Sequence, residues 1–273
     1  ARMTKPHGII FVGMSHDLYW YNRPCGPYKL ATYLRQHGFD IQIIPNCTAL
    51  TKRGYEQVLK KFGSDRLLWV GFSTTWLPGR RDDDFYTQLN NSTDLIINSP
   101  MHGWFYADVV DKKKYLGCLY TPEFFKDIWN TSKQYNPNCQ LVFGGSILTR
   151  NPYFTKEKLV PDAVYIKNYA EEPLLALTKR LALGNFSVDK LPSNEDYDYN
   201  QFKHSSIDYQ ATDYIASDEW LPIEVARGCA FKCAFCNYDM KDVTNNYVNP
   251  ECLRKQVIEL FATEKHIISR MFN

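Results

Sequence analysis

Short apolar runs alternate along the chain with stretches in which apolar residues recur every three or four positions. The run from Gly8 to Gly13 predicts a first strand, and Gly26-Pro27 the start of a helix, since proline suits a first turn whose N–H groups are unpaired. Leu30, Ala31 and Leu34 mark one face of that helix, and Gly38 supplies its stop. Ile41 to Ile44 predicts the next strand, Tyr55 to Phe62 a helix, and Leu67 to Phe72 a third strand. That third strand is nearly all apolar, as a strand covered on both faces should be. A helix opens at Thr121-Pro122-Glu123, with Phe124, Phe125, Ile128 and Trp129 as its buried stripe, and Asn136-Pro137 breaks it. Gln140 to Phe143 then runs into Gly144-Gly145, and Val164 to Ile166 predicts a fifth strand. Ala170-Glu171-Glu172-Pro173 opens a last helix with Leu174, Leu175, Thr178 and Leu181 on one face. Its acidic start, its Lys179-Arg180 end and Gly184 agree with dipole and capping rules. Repeated strand–helix units predict an α/β fold with a doubly wound, Rossmann-like parallel sheet over residues 1–184.

Three stretches fall outside this alternation. Residues 76–120 form an insertion far longer than the usual connection of about 2–6 residues. It carries the charge run Arg80-Arg81-Asp82-Asp83-Asp84 and the aromatic cluster Trp104-Phe105-Tyr106. It reads either as a solvated insertion or as a cap over the C-terminal strand ends, where ligands of such sheets bind. Residues 185–220, acidic and tyrosine-rich with little periodicity, read as a linker or wrapping segment. A new unit, 221–273, opens with a predicted strand over Leu221 to Ala226. A predicted helix over Glu251 to Glu264 follows, with Leu253, Val257, Leu260 and Phe261 inward, and His266 to Ile268 opens another strand.

Composition narrows the function. Of 273 residues, 44% are hydrophobic and 23% charged, which excludes a disordered or fibrous main state. A formal net charge of +2 is too small to indicate nucleic acid or an anionic membrane. The apolar runs are strand-sized, so none is expected to span a bilayer, and residues 1–6 show no apolar signal region. The expectation is a soluble, cytoplasmic protein. No H-E-x-x-H, Cys–His, Walker-type or dinucleotide fingerprint is present.

Of the eight cysteines, Cys25, Cys47, Cys118, Cys139 and Cys252 are scattered, whereas Cys229, Cys233 and Cys236 stand close together as C-x-x-x-C-x-x-C. Thiolates are soft ligands suited to iron–sulfur clusters or zinc. Structural zinc takes four closed ligands, and clusters held by protein alone commonly take four cysteines. Three cysteines leave one position open, as a substrate-binding metal site requires. Zinc and unligated thiols are the alternatives, and Cys252 reads as a buried core thiol or a fourth ligand.

The segment from Ile223 through Arg227-Gly228-Cys229 to Cys233, Cys236, Asn237 and Tyr238 resembles the cluster loop of radical S-adenosylmethionine (SAM) enzymes. The resemblance implies that Cys229, Cys233 and Cys236 hold a [4Fe-4S] cluster and that SAM chelates its fourth iron. It further implies that an electron cleaves SAM to a 5′-deoxyadenosyl radical, which abstracts hydrogen from substrate. Phe235 matches the aromatic position beside the adenine. Implied partners are SAM, a substrate the sequence does not identify, and a reductant such as flavodoxin or ferredoxin.

A doubly wound domain ahead of this loop resembles the cobalamin-binding domain of B12-dependent radical-SAM proteins. Gly26 to Leu34 with Gly38 match its first helix, Gly144-Gly145 its double glycine, and Ala170-Glu171-Glu172-Pro173 its acidic helix start. Cobalamin is therefore an implied cofactor, with Gly144 and Gly145 at its site. The double glycine is equally explained by a tight turn. The loop Met14 to Trp20 departs from the family's D-x-H-x-x-G, and His16 and Asp17 read as polar loop residues or as a cobalt ligand. Residues 221–273 would form only the beginning of a radical-SAM β/α barrel, a complete barrel needing at least about 200 residues.

Two readings follow. One is a radical-SAM enzyme modifying a C–H bond, as a B12-dependent methyltransferase for instance, if the full-length protein completes the barrel. The other is a non-catalytic structural or interaction protein that retains the sheet and a relic or metal-stapled cysteine loop. A chain ending naturally at Asn273 would need a protein partner to cover its apolar face.

Overall fold

The computed structural model describes residues 5–13, 24–45, 47, 50–74, 121–145, 156, 159–167, 169–186, 191, 204–213, 215, 221–227 and 246–263. Five parallel strands form one sheet: β1 (Gly8–Val12), β2 (Ile41–Ile44), β3 (Trp69–Ser73), β4 (Gln140–Gly144) and β5 (Val164–Ile166). Their order is β2-β1-β3-β4-β5, the doubly wound arrangement expected from the alternation. Gly8 pairs with both Ile41 and Trp69, and Trp69 with Gln140, so β1 to β4 start level, and β5 joins two residues further along at Val142.

Side chains alternate across this sheet and create two apolar layers. Ile9, Phe11, Val70, Phe72, Leu141 and Phe143 face α2 (Lys52–Phe62) and α3 (Pro122–Lys133). Ile10, Val12, Trp69, Val142, Val164 and Ile166 face α1 (Cys25–Gln36) and α4 (Glu171–Ala182). Thr51 and Thr121 cap α2 and α3 by accepting from Gly54 N and Phe124 N. Gly38 and Gly184, at φ +86° and +74°, end α1 and α4 in the left-handed region predicted for them.

The face of α1 is wider than Leu30, Ala31 and Leu34 suggest. Tyr28, Lys29 and Thr32 are also buried: residues 207–213 run back across Tyr28 and Thr32, and Lys29 pairs with Glu224. Asp208 N donates to Thr32 Oγ1 at 2.9 Å, Tyr28 packs on Tyr209, and Gln42 Nε2 donates to Thr212 O. Arg35 reaches Asp213, in the 3-10 turn Ala211–Asp213, at 2.6 and 3.0 Å.

The strand expected over Leu221 to Ala226 is shorter and later. Only β6 (Ala226–Arg227) forms, antiparallel to β7 (Asn246–Tyr247), which follows the cysteines in sequence. Pro222 has no N–H to give a ladder, and the pairing begins where Val248 N donates to Val225 O at 3.0 Å. Then comes α5 (Pro250–Thr263), close to the expected bounds. Cys252 on α5 is partly exposed rather than a core thiol, with its sulfur 4.0 Å from His204 Nδ1. Among the described residues no helix is long and apolar enough to cross a membrane.

Candidate functional site

The chain leaves β1 toward β2 on one side and reaches β3, β4 and β5 on the other, so the winding reverses between β1 and β3. Crevices at such a reversal, beyond the C-terminal strand ends, are the natural ligand sites of open α/β sheets. Here a cleft of about 240 Å³ lies between the sheet and the first turns of α1 and α4. Its lining includes Ile10, Trp69, Val142 and Ile166 from the strands, Gly26, Pro27 and Leu30 from α1, and Ala170, Glu171 and Leu174 at α4.

Alternation explains the opening. On the face that carries Trp69 the next positions are Gly71 and Ser73, and after Val142 comes Gly144, all on the cleft. The apolar layer thus loses its side chains as the strands approach their ends. A Cβ on Gly144 would meet nothing closer than Ile166 O at 3.8 Å, and one on Gly26 nothing within 4 Å. Gly145 turns the chain away at φ +109°, a conformation that favours glycine. Thr74 Oγ1 donates to Gly144 O at 2.9 Å and fixes this corner.

The remaining wall is charged. Arg227 in β6 donates from its Nη2 to Glu171 Oε1 at 2.5 Å and from its Nε to Glu224 Oε1 at 2.7 Å. Lys29 Nζ lies 2.7 Å from Glu224 Oε2, and the guanidinium carbon sits 4.4 Å from the centre of the Tyr169 ring. The Arg227, Lys29 and Glu171 side chains are 6%, 4% and 9% exposed and that of Glu224 21%, so two cations and two anions balance in a wall largely shielded from water. Burial alone would weaken the charge on Arg227, but Glu171 and Glu224 overcome it and raise its pKa above the ordinary value. Burial likewise opposes the Glu224 carboxylate, yet Arg227 and Lys29 hold its pKa low. Burial lowers the pKa of Lys29 despite Glu224. Beside this cluster Cys25 is pushed up to about 12 by burial and by Glu224.

Gly144 and Gly145, the sheet residues expected at a cofactor site, both line the cleft. Cys229, Cys233, Phe235 and Cys236 lie outside the described residues, as do His16, Asp17 and the insertion 76–120. Arg227, two positions before Cys229, is a described member of the cleft wall. Among the described residues no group of three or more His, Cys, Asp or Glu is arranged to hold a metal ion. Lys29 and Tyr169 carry no functional signal in the sequence, and Glu171 and Glu224 enter only as members of the acidic helix start and of the segment that resembles the cluster loop. The acidic start of α4 is read there as a dipole partner and as part of the resemblance, and neither shows the ion pair of Glu171.

No protein-family profile matches the chain, and no curated protein matches its sequence. Among solved structures it is similar to the radical SAM methyltransferase TsrM from Kitasatospora setae. The TM-score is 0.55 at 14% identity for the form with tryptophan substrate and a SAM analogue bound. It is 0.56 at 13% identity for the form with cobalamin and a [4Fe-4S] cluster. Each comparison covers 94% of this chain but only 46% and 47% of the TsrM chain, so the protein spans about half that length. At this identity the likeness establishes a shared fold, an α/β protein with a parallel five-stranded sheet.

Proposed function

We propose that the protein is a radical-SAM protein whose cysteine segment holds a [4Fe-4S] cluster and whose sheet domain binds a corrinoid, in the service of C–H modification such as B12-dependent methyl transfer. The observation that carries this reading is the convergence of two features. A glycine-opened cleft lies at the reversal point of the sheet, and the segment bearing C-x-x-x-C-x-x-C leaves from its wall at Arg227.

The donor chemistry fits each group. Three thiolates suit a cluster with one open iron, and when bound such a cluster supplies the electron that cleaves SAM. In this reading Cys229, Cys233 and Cys236 are the ligands and Phe235 lies beside the adenine. Gly26, Gly71, Gly144 and Gly145 form a cradle that added Cβ atoms would narrow, and its roughly 240 Å³ leave room for part of a corrinoid to enter between sheet and helices. The charged residues of the wall, Glu171, Glu224 and Arg227, are paired with one another, which favours an uncharged surface over a phosphate. Partners in this reading are SAM, a substrate and a one-electron reductant such as flavodoxin or ferredoxin.

Anaerobic reconstitution with iron and sulfide, followed by iron counting and EPR with and without SAM, tests it. About four irons per chain and a signal altered by SAM are expected. Zinc on the thiols, or indifference to SAM, rejects it. One observation favours a second reading, an interaction protein with a metal-stapled loop: Val225, Tyr247 and Ile258 are 51%, 62% and 53% exposed around β6, β7 and α5.

A further inference from the structure

The Lys29–Glu224–Arg227–Glu171 cluster joins three separate parts of the chain: α1, the first turn of α4, and the segment that leads into the cysteines. An apolar contact would hold these parts together without fixing their angle. A planar guanidinium does more, because its donors demand particular acceptor directions. Arg227 is gripped from its own segment by Glu224, through Nε at 2.7 Å and Nη2 at 3.0 Å, and from the sheet domain by Glu171 at 2.5 Å. Tyr169 fixes the plane of the fork from one face at 4.4 Å. Buried ion pairs of this kind are poor sources of net stability but good at selecting one arrangement.

Three of these four residues, all but Lys29, are also in the cleft wall. Tyr169, Glu171, Glu224 and Arg227 all face the cavity. A group seated there touches the fork that orients the strand leading to Cys229. We propose that Arg227 is a positioning residue that couples occupancy of the cleft to the cysteine-held cluster, with Glu171 and Glu224 as its two anchors. The inference rests on the function proposed above. By linkage the coupling is reciprocal, so a corrinoid in the cleft alters the cluster as much as the cluster alters corrinoid affinity.

The test uses the reconstituted full chain and hydroxocobalamin. The midpoint potential and EPR g-values of the cluster are measured with and without hydroxocobalamin in wild type, Arg227→Lys and Glu171→Gln. Lys29→Gln, a change off the cleft lining, is measured alongside and serves if either conservative variant folds poorly. A shift is expected in wild type; in the variants it shrinks at least threefold while about four irons per chain are retained. A purely structural role would lower thermal stability and leave the shift intact, and that result overturns the proposal. So does a wild-type protein that holds both groups yet shows no shift. A wild-type chain that forms no cluster, or does not bind hydroxocobalamin, removes the proposed function itself and this inference with it.

Discussion

The indole of Trp69 lies across the bare Cα of Gly8 on the neighbouring strand, where an added Cβ would come within 2.2 Å of ring atom Cζ2. From this position Trp69 Nε1 donates to Thr178 Oγ1 at 3.0 Å, so one wholly buried side chain ties α4 to the sheet beneath the cleft. Gly8→Ala must displace the ring, and overpacking of this kind costs about 1–3 kcal/mol. Urea unfolding should show that loss. The double variant Gly8→Ala/Trp69→Phe should lose less than the sum of the two single changes, since the smaller ring makes room. Strict additivity would mean that the contact is not steric.

His7 gives the N-terminal edge of the sheet a pH dependence. Its Nδ1 accepts from Asp40 N at 2.9 Å, Arg66 Nη2 stands 3.0 Å from its Nε2, and Arg66 also pairs with Asp40. Burial, then the Arg66 charge, lowers its pKa below the ordinary value, with Asp40 opposing. The unfolded chain therefore takes up this proton first. The stability His7 contributes is complete above about pH 6.5 and drains away as pH falls toward the folded value. Wild type should lose more stability than His7→Gln between pH 7 and pH 5; equal slopes would refute the assignment.

Thiol chemistry separates the described cysteines. Burial pushes Cys139 up to about 12, and burial with Glu224 does the same for Cys25. At pH 8 a thiolate fraction on the order of 10⁻⁴ leaves both nearly inert to iodoacetamide in the native state. Cys25 and Cys252 are both partly exposed, so the raised pKa of Cys25 separates them: peptide mapping should find Cys252 alkylated first, with Cys25 and Cys139 modified only on unfolding. Early labelling of Cys25 would mean that the start of α1 opens readily.

The legible parts of this molecule were those where one residue's chemistry sufficed. Gly38 and Gly184 announced helix ends because a left-handed residue is a local need, and Thr121-Pro122 announced a helix start for the same reason. The apolar run from Leu67 to Phe72 and the run into Gly144-Gly145 gave the strands, and hence the place where a cleft opens. What stayed hidden depends on residues far apart in sequence. Nothing near Lys29 indicates that residues 207–213 cover its helix, or that Glu224 waits for it 195 positions later. Glu171 looked like an ordinary dipole partner until Arg227 was brought to it. The pairing of β6 with β7 was equally invisible, because the two strands are two residues each and span the cysteines.

Asp213 illustrates that long-range dependence energetically. It is wholly buried, accepts both nitrogens of the Arg35 fork and also accepts from Gln210 N at 2.9 Å. Asp213→Ala strands the Arg35 charge, and loss of one partner of a buried pair costs about 3–5 kcal/mol. Replacing both, as Arg35→Met/Asp213→Leu, should restore much of the denaturation midpoint. A double variant no better than Asp213→Ala would show that the carboxylate matters through the turn it closes rather than through Arg35.

Gly144 separates the ligand role of the cleft from its role in the fold. It ends β4 with backbone angles open to any residue, and its nearest neighbour would be Ile166 O at an ordinary 3.8 Å. Gly144→Val should therefore leave the melting temperature within a few degrees of wild type while filling the space between sheet and helices. Gly145→Ala is the contrasting change, because φ +109° strains any side chain and costs about 1–3 kcal/mol. Binding of hydroxocobalamin, followed by absorbance, should weaken at least tenfold in Gly144→Val, equivalent to about 1.4 kcal/mol. Unchanged affinity in a folded Gly144→Val protein would place the corrinoid elsewhere. A large fall in melting temperature would instead make the double glycine a turn element, which is the other explanation its sequence allows.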